Sequence, residues 1–122
     1  IGKTSSRTYS NTALEKRIIY SKFFENYLNE LIDILFYQEY FSYIENTEKY
    51  VVALKEDIEK YIDVKQQYQT PKNLSRHGNL FIVVSLNNKT SWFVFFEKKD
   101  NRFLIQYITN NHMEEASFLK NI

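Results

Sequence analysis

The side chains best suited to proton transfer and anion binding lie in the second half of the chain. His112 follows an apolar run, and an imidazole with an ordinary pKa of about 6.5 can act as a base or an acid near neutral pH. Arg76, Lys89 and Arg102 are cations that could hold a phosphate group. The alternative is a surface tail histidine with cations that are simply solvated, and the residue types alone leave both interpretations open.

Other reactive groups are few. His77 adjoins Gly78 and fits a turn, and Glu97 becomes a base only if burial raises its pKa. The chain has no cysteine, which excludes thiol nucleophiles, disulfides and thiolate zinc sites, and its 2 glycines are too few for a phosphate-cradling loop. No metal-ligand spacing or nucleophile elbow appears. We therefore predict no cofactor and no metal, and any enzyme activity would be metal-independent.

Aromatic residues make up 17% of the chain, including 10 Tyr and 10 Phe, which is high for a domain with 43% apolar residues. Aromatic rings on an open sheet can stack on nucleic-acid bases. We assign Trp92 and Tyr107 to substrate binding together with Arg102, and expect most of the other rings to pack in the core.

The first half of the chain predicts a strand followed by two helices. Residues 17–20 form a short β-prone run that ends at Ser21, a good helix N-cap. Asn46 or Thr47 is expected to cap the second helix. The apolar positions of the first helix are Phe24, Tyr27, Leu28, Leu31, Ile34 and Leu35. Those of the second helix are Val51, Leu54, Ile58, Tyr61 and Ile62.

The second half predicts three antiparallel strands after a surface connection over 66–78, which contains the single proline. The strand-length runs are 80–86, 91–96 and 102–109, and hairpin turns are expected over 86–89 and 98–101. The fold class is therefore α+β, with two N-terminal helices packed on one face of a small antiparallel sheet in the order β-α-α-β-β-β.

The middle strand is apolar on both faces. Trp92, Val94 and Phe96 point one way, while Phe93 and Phe95 point the other. One helical layer covers a single face, so a second layer or a partner must cover the other. Either a binding partner does so, or the N-terminal leader or the C-terminal segment 112–122 folds over it as a lid.

The charge distribution is uneven although the net charge is only +1. Residues 21–64 carry four lysines against ten acids, whereas residues 65–122 carry eight cations against four acids. The basic side could attract phosphate or an acidic peptide, with an ordinary mixed surface as the alternative. Residues 1–16 are expected to form a flexible leader and residues 17–122 a single domain. Apolar runs too short to cross a bilayer predict a cytoplasmic protein.

The order of elements over 17–122 resembles the RelE/ParE toxin superfamily of toxin–antitoxin systems. The run Arg17-Ile18-Ile19-Tyr20-Ser21 followed by Phe24 and Leu28 is similar to the family's opening strand and first helix. Thr90-Ser91-Trp92-Phe93-Val94-Phe95-Phe96 is similar to its central apolar strand. Tyr107-Ile108-Thr109-Asn110-Asn111-His112 is similar to its last strand, which in some members runs into a functional histidine.

The resemblance implies a toxin that an antitoxin protein holds inactive by covering the sheet face. It further implies inhibition of translation by ribosome-associated mRNA cleavage, with His112, Lys89 and Arg76 as catalytic residues and the ribosome and mRNA as partners. The alternative is a non-catalytic toxin of the gyrase-poisoning ParE type, or a degenerate toxin-fold binding module. The sequence departs from the nuclease pattern at Val83, Ser85 and Trp92, where cations are expected, and at Phe118, where some members have tyrosine.

Overall fold

The computed structural model describes residues 15–37, 47–87 and 89–119, which form an α+β domain with one five-stranded sheet. The strands are β1 (Arg17–Tyr20), β2 (Tyr68–Gln69), β3 (Leu80–Ser85), β4 (Ser91–Lys99) and β5 (Arg102–Asn110). The helices are α1 (Lys22–Tyr37), α2 (Thr47–Tyr61) and two 3₁₀ helices, η1 (Lys72–His77) and η2 (Glu114–Leu119).

The strand order across the sheet is β1-β5-β4-β3-β2. Strands β3 to β5 pair antiparallel, as predicted, and β2, which was not predicted, pairs antiparallel to β3, but β1 pairs parallel to β5. The prediction of a purely antiparallel sheet is therefore wrong at this edge. In the meander, one edge of β5 has no antiparallel partner. Strand β1 pairs with this edge and runs parallel to β5, and α1 begins two residues after β1 ends.

Helix α1 begins where the sequence predicts, because the Phe24 amide donates a hydrogen bond of 3.0 Å to Ser21 Oγ. Its buried face includes Phe24, Leu28 and Leu31, as expected. The stripe then continues through Ile32, which is fully buried, whereas Ile34 is 37% exposed. The prediction of Ile34 as a core residue is wrong because the 3.6-residue period carries the buried face from Leu28 to Ile32.

Helix α2 begins at Thr47 and buries Leu54 and Ile58, and Ile62 is buried directly after its end. Val51 and Tyr61 are only half-buried. Residues 38–46, which include the alternative cap Asn46, lie outside the described residues. The second predicted helix is thus confirmed, with its buried stripe facing the sheet.

The connection over 66–78 contains more regular structure than predicted. It contributes the edge strand β2 and the helix η1, and Leu74 of η1 is buried. Gly78 follows η1 with φ +139°, and a Cβ there would lie 2.8 Å from the Phe96 amide nitrogen. Only glycine fits this close approach. The turn between β4 and β5 lies one residue later than predicted, because Lys99 pairs with Arg102, and Asp100 within the turn has φ 56°.

The two-sided apolar pattern of β4 is confirmed. Trp92, Val94 and Phe96 pack with α1 and α2 in one core. Phe93 and Phe95 face the opposite side, where the residues in contact with them come from β3, β5, η1 and η2: Phe81, Tyr107, Leu74, Ala116 and Leu119. The C-terminal segment therefore covers part of the second face, together with η1, which the sequence did not predict.

Lys16, which lies in the predicted leader, contacts the folded part of the chain. Lys16 Nζ lies 2.9 Å from Asp63 Oδ1, so this side chain is tied to the segment after α2. Residues 1–14 of the predicted leader lie outside the described residues. Within the described ranges, no helix combines the length and apolar character that a membrane span requires.

Candidate functional site

His112 lies in a structured turn at the end of β5. Its Nε2 is 3.0 Å from Thr90 Oγ1, and its backbone amide donates to Asn110 Oδ1 at 2.9 Å. The neighbouring Asn111 donates from Nδ2 to the Lys89 carbonyl at 3.1 Å. The structure therefore brings two of the three predicted catalytic residues together. We call Lys89, Thr90, Asn111 and His112 the histidine corner.

Partial burial sets the electrostatics of the histidine corner. It lowers the pKa of His112 below its ordinary value of 6.5, so the ring is neutral at pH 7. Thr90 is buried, whereas the Lys89 side chain is exposed. A neutral imidazole held by a hydroxyl group can accept a proton.

The other predicted cations lie elsewhere. Arg76 is in η1, where its Nη1 donates to the Asn73 carbonyl at 2.9 Å. Arg102 is the first residue of β5, and the histidine corner follows the last residue of that strand. A nine-residue strand places these two ends roughly 26 Å apart. Arg102 therefore cannot contact the same phosphate as His112 in this fold.

Trp92 is a core residue and not a stacking surface. Its side chain is fully buried on the helix-covered face, and its Nε1 donates to the Tyr50 hydroxyl at 2.9 Å. The two rings are tilted by 56°. The expectation that Trp92 binds substrate is wrong in this structure, because no surface of the indole reaches solvent.

Tyr107 belongs to a cluster that we name the tyrosine cluster, formed by Phe23, Tyr27, His77, Tyr107 and Glu115. The His77 ring stacks on Tyr107 with centroids 3.5 Å apart and planes 7° apart. The Tyr27 ring also stacks on Tyr107, with the two ring centroids 5.0 Å apart. The Tyr107 hydroxyl lies 2.7 Å from Glu115 Oε2 and 3.2 Å from the Tyr27 hydroxyl. Its single proton can be donated to the Glu115 carboxylate or to the Tyr27 hydroxyl, and the carboxylate contact is the shorter of the two.

Burial shifts the pKa of two members of the tyrosine cluster in opposite directions. Burial, followed by the contacts with Tyr27 and Glu115, raises the pKa of Tyr107 far above its ordinary value. Burial, followed by the Arg76 charge, lowers the pKa of His77 against the opposing effect of Glu115. His77 Nε2 is buried and has no hydrogen-bond partner among the residues that the structure describes. The stacking of His77 and the hydrogen bond to Glu115 connect η1 and η2 to the sheet.

The tyrosine cluster was not predicted as a unit. Its members come from α1, η1, β5 and η2, and no sequence spacing connects these elements. The aromatic content predicted that most rings pack in the core, but only the fold shows which rings meet. Tyr107 is 6% exposed, so little of its ring is available for substrate contact.

A second surface lies on the face of the sheet opposite the helices. It is at the end of the sheet where β1 and β5 begin and β4 ends. Arg102 pairs with Arg17 on one side and with Lys99 on the other. Their β5 neighbour Phe103 is buried against the helices, so the row of three cations projects from the opposite face. All three side chains are exposed.

The next row of this surface is mixed in character. Leu104 pairs with Ile19 and with Glu97, and all three project from the same face as the cations. Ile19 is 56% exposed and Leu104 is 37% exposed. We call the two rows together the open-face grid.

The positions where the resemblance expects other residues are accounted for individually. Val83 is half-buried against the second core, and the Ser85 hydroxyl donates to Ser91 Oγ at 3.1 Å. Phe118 is 58% exposed on η2. In the described part of the chain, no three histidine or carboxylate side chains are grouped to hold a metal ion.

The chain matches no protein-family model, no curated protein and no solved structure. Its function is therefore inferred from the fold and from the geometry of the histidine corner and the open-face grid.

Proposed function

We propose that the chain is the toxin component of a toxin–antitoxin module, similar to RelE/ParE toxins, which inhibits translation by ribosome-associated mRNA cleavage. Support comes from the order of a strand, two helices and an antiparallel meander. The chain adds β2, η1 and η2 to that order. An antitoxin bound to the uncovered part of the sheet, and action in the cytoplasm, belong to the same proposal.

The observation that carries the proposal is the pairing of His112 with Thr90 beside Lys89. In the proposed reaction, the neutral ring accepts the proton of the RNA 2′-hydroxyl. The 2′-oxygen then attacks phosphorus, and the 5′-oxygen leaves with a proton from solvent. Thr90 orients the imidazole, and the Lys89 ammonium stabilises the charge that develops on the phosphoryl oxygens.

The test is induced expression of the intact chain in bacteria, with growth and new mRNA 5′ ends measured together. We expect His112→Ala to abolish new 5′ ends and to relieve growth arrest, and Lys89→Ala to reduce both. Ser117→Ala, an exposed position on η2, is the matched control and should behave like the parent. Unchanged cleavage in His112→Ala would remove His112 from the mechanism.

A second candidate is a non-catalytic toxin that poisons a protein target, as gyrase-directed ParE-type toxins do, or a degenerate toxin-fold binding module. The observation that favours it is the dispersal of the predicted cations, since Arg102 lies at the opposite end of β5 from His112. Growth arrest without new mRNA ends supports this candidate. New ends that depend on His112 exclude it.

A further inference from the structure

The open-face grid has a geometry that suits an extended chain. Its two rows run across β1, β5 and β4, and neighbouring strands lie about 4.8 Å apart. Along each strand the rows are two residues apart, a spacing of roughly 6.7 Å. An extended peptide running along the strands presents its side chains i and i+2 at the same spacing.

The first row concentrates positive charge without internal compensation. Arg17, Arg102 and Lys99 occupy directly paired positions, where like charges repel. The ion pairs within the described residues are Lys16–Asp63 and Lys55–Glu25, and neither includes a cation of this row. A bound anionic group would relieve the repulsion.

The second row distinguishes between two kinds of anionic partner. Ile19 and Leu104 offer aliphatic surface, which suits leucine or valine side chains better than nucleic-acid bases. Glu97 completes the row, so a nucleic acid, with a charge on every phosphate, would place one against this carboxylate, whereas a peptide can place its aliphatic residue there. Cations followed by aliphatic groups complement a peptide in which an acidic residue precedes an apolar residue by two positions.

We propose that the open-face grid binds an extended acidic segment of a protein partner, with carboxylates on Arg17, Lys99 and Arg102 and an aliphatic side chain on Ile19 and Leu104. The site lies at the opposite end of β5 from the histidine corner. Binding therefore does not depend on the reaction proposed for His112.

The test is an NMR titration of the isotope-labelled chain with a blocked synthetic octapeptide, Asp-Ser-Leu-Ser repeated twice. Chemical-shift changes are expected at Ile19, Arg102 and Leu104. Arg102→Glu should weaken binding by roughly fivefold or more, because it reverses the central charge of the row. Lys72→Glu makes the same charge change on exposed η1 and should alter affinity less than about twofold.

Three control measurements make the result decisive. Replacing both Asp residues of the peptide by Lys, or both Leu residues by Ser, should reduce binding. His112→Ala should bind the parent peptide normally, which separates this inference from the proposed cleavage reaction. The inference is overturned if Arg102→Glu and Lys72→Glu have equal effects, if the lysine peptide binds as well, or if only a single-stranded oligouridine binds at these amides.

Discussion

Tyr107 illustrates how one side chain connects four elements of this fold. It extends from β5, its ring stacks against His77 of η1 and Tyr27 of α1, and its hydroxyl donates to Glu115 of η2. Hydrogen bonds to charged groups contribute more to stability than neutral ones, and removing one partner leaves the other unsatisfied. The hydroxyl should therefore matter separately from the ring.

We expect Tyr107→Phe to lower the free energy of unfolding by about 1–2 kcal/mol, because stacking persists while Glu115 and Tyr27 lose their shared partner. Urea denaturation would measure the change. Tyr68→Phe is the matched control: its hydroxyl makes a 3.4 Å contact with exposed Gln66, so its effect should stay within about 0.5 kcal/mol. Equal effects of the two changes would contradict a structural role for the Tyr107 hydroxyl.

The two histidines predict a pH dependence of stability. Burial lowers the folded-state pKa of both His77 and His112 below the ordinary value of 6.5. As pH falls through 6.5, the unfolded chain therefore binds protons that the folded chain does not, and the free energy of unfolding decreases. We expect lower stability at pH 5 than at pH 7, measured by urea denaturation.

Substitutions identify the source of this pH dependence. His77→Phe keeps a ring against Tyr107 and should remove part of the loss, and the double variant His77→Phe with His112→Gln should remove most of it. A full loss between pH 7 and pH 5 in the double variant would assign the effect to other groups.

At the scale of elements, the sequence predicted the helices and strands that depend on interactions between residues close together in the chain. The Ser21 cap, the two apolar stripes and the three long strands follow from capping and periodicity, which act within a few residues. The helix η1 and strand β2 were missed because their stability comes from contacts distant in sequence, such as Leu74 in the second core. The same limit explains why Trp92 was assigned to substrate binding: periodicity placed it on a face but did not show that Tyr50 and the helices cover it.

The helix η2 offers a direct test of how the second face is closed. Leu119 is buried against the sheet, whereas the adjacent Phe118 is 58% exposed. We expect Leu119→Asp to lower the free energy of unfolding by about 3 kcal/mol, since it buries a charge in an apolar site. Phe118→Asp should cost less than about 0.5 kcal/mol. Comparable losses in thermal or urea unfolding would show that η2 does not pack as described.

At the scale of the whole molecule, the sheet has a protected centre and exposed margins. Strand β4 pairs on both sides and is covered on both faces over much of its length, while β1 and β2 lie at the edges of the sheet. The histidine corner and the open-face grid lie at opposite ends of β5. The sheet can therefore carry the histidine corner and the open-face grid as two independent surfaces.

This arrangement predicts a gradient of amide hydrogen exchange. We expect the Val94 and Ile108 amides to exchange only through global unfolding, and the amides of Tyr68 and Ile18 to exchange faster through local opening of the sheet edges. NMR measurement of exchange rates would test the gradient. Similar protection of β2 and β4 would contradict the assigned strand order.

The parallel pairing of Arg17–Tyr20 with the final strand also has a consequence for synthesis. About 85 residues separate the two partners, and translation at 5–20 residues per second makes the first strand wait roughly 4–17 s for the second. During that interval the nascent chain contains β1, but β5, the strand with which β1 pairs, has not yet been synthesised. A message cut short before the codon for Arg102 would therefore yield a product whose opening strand can never pair with β5.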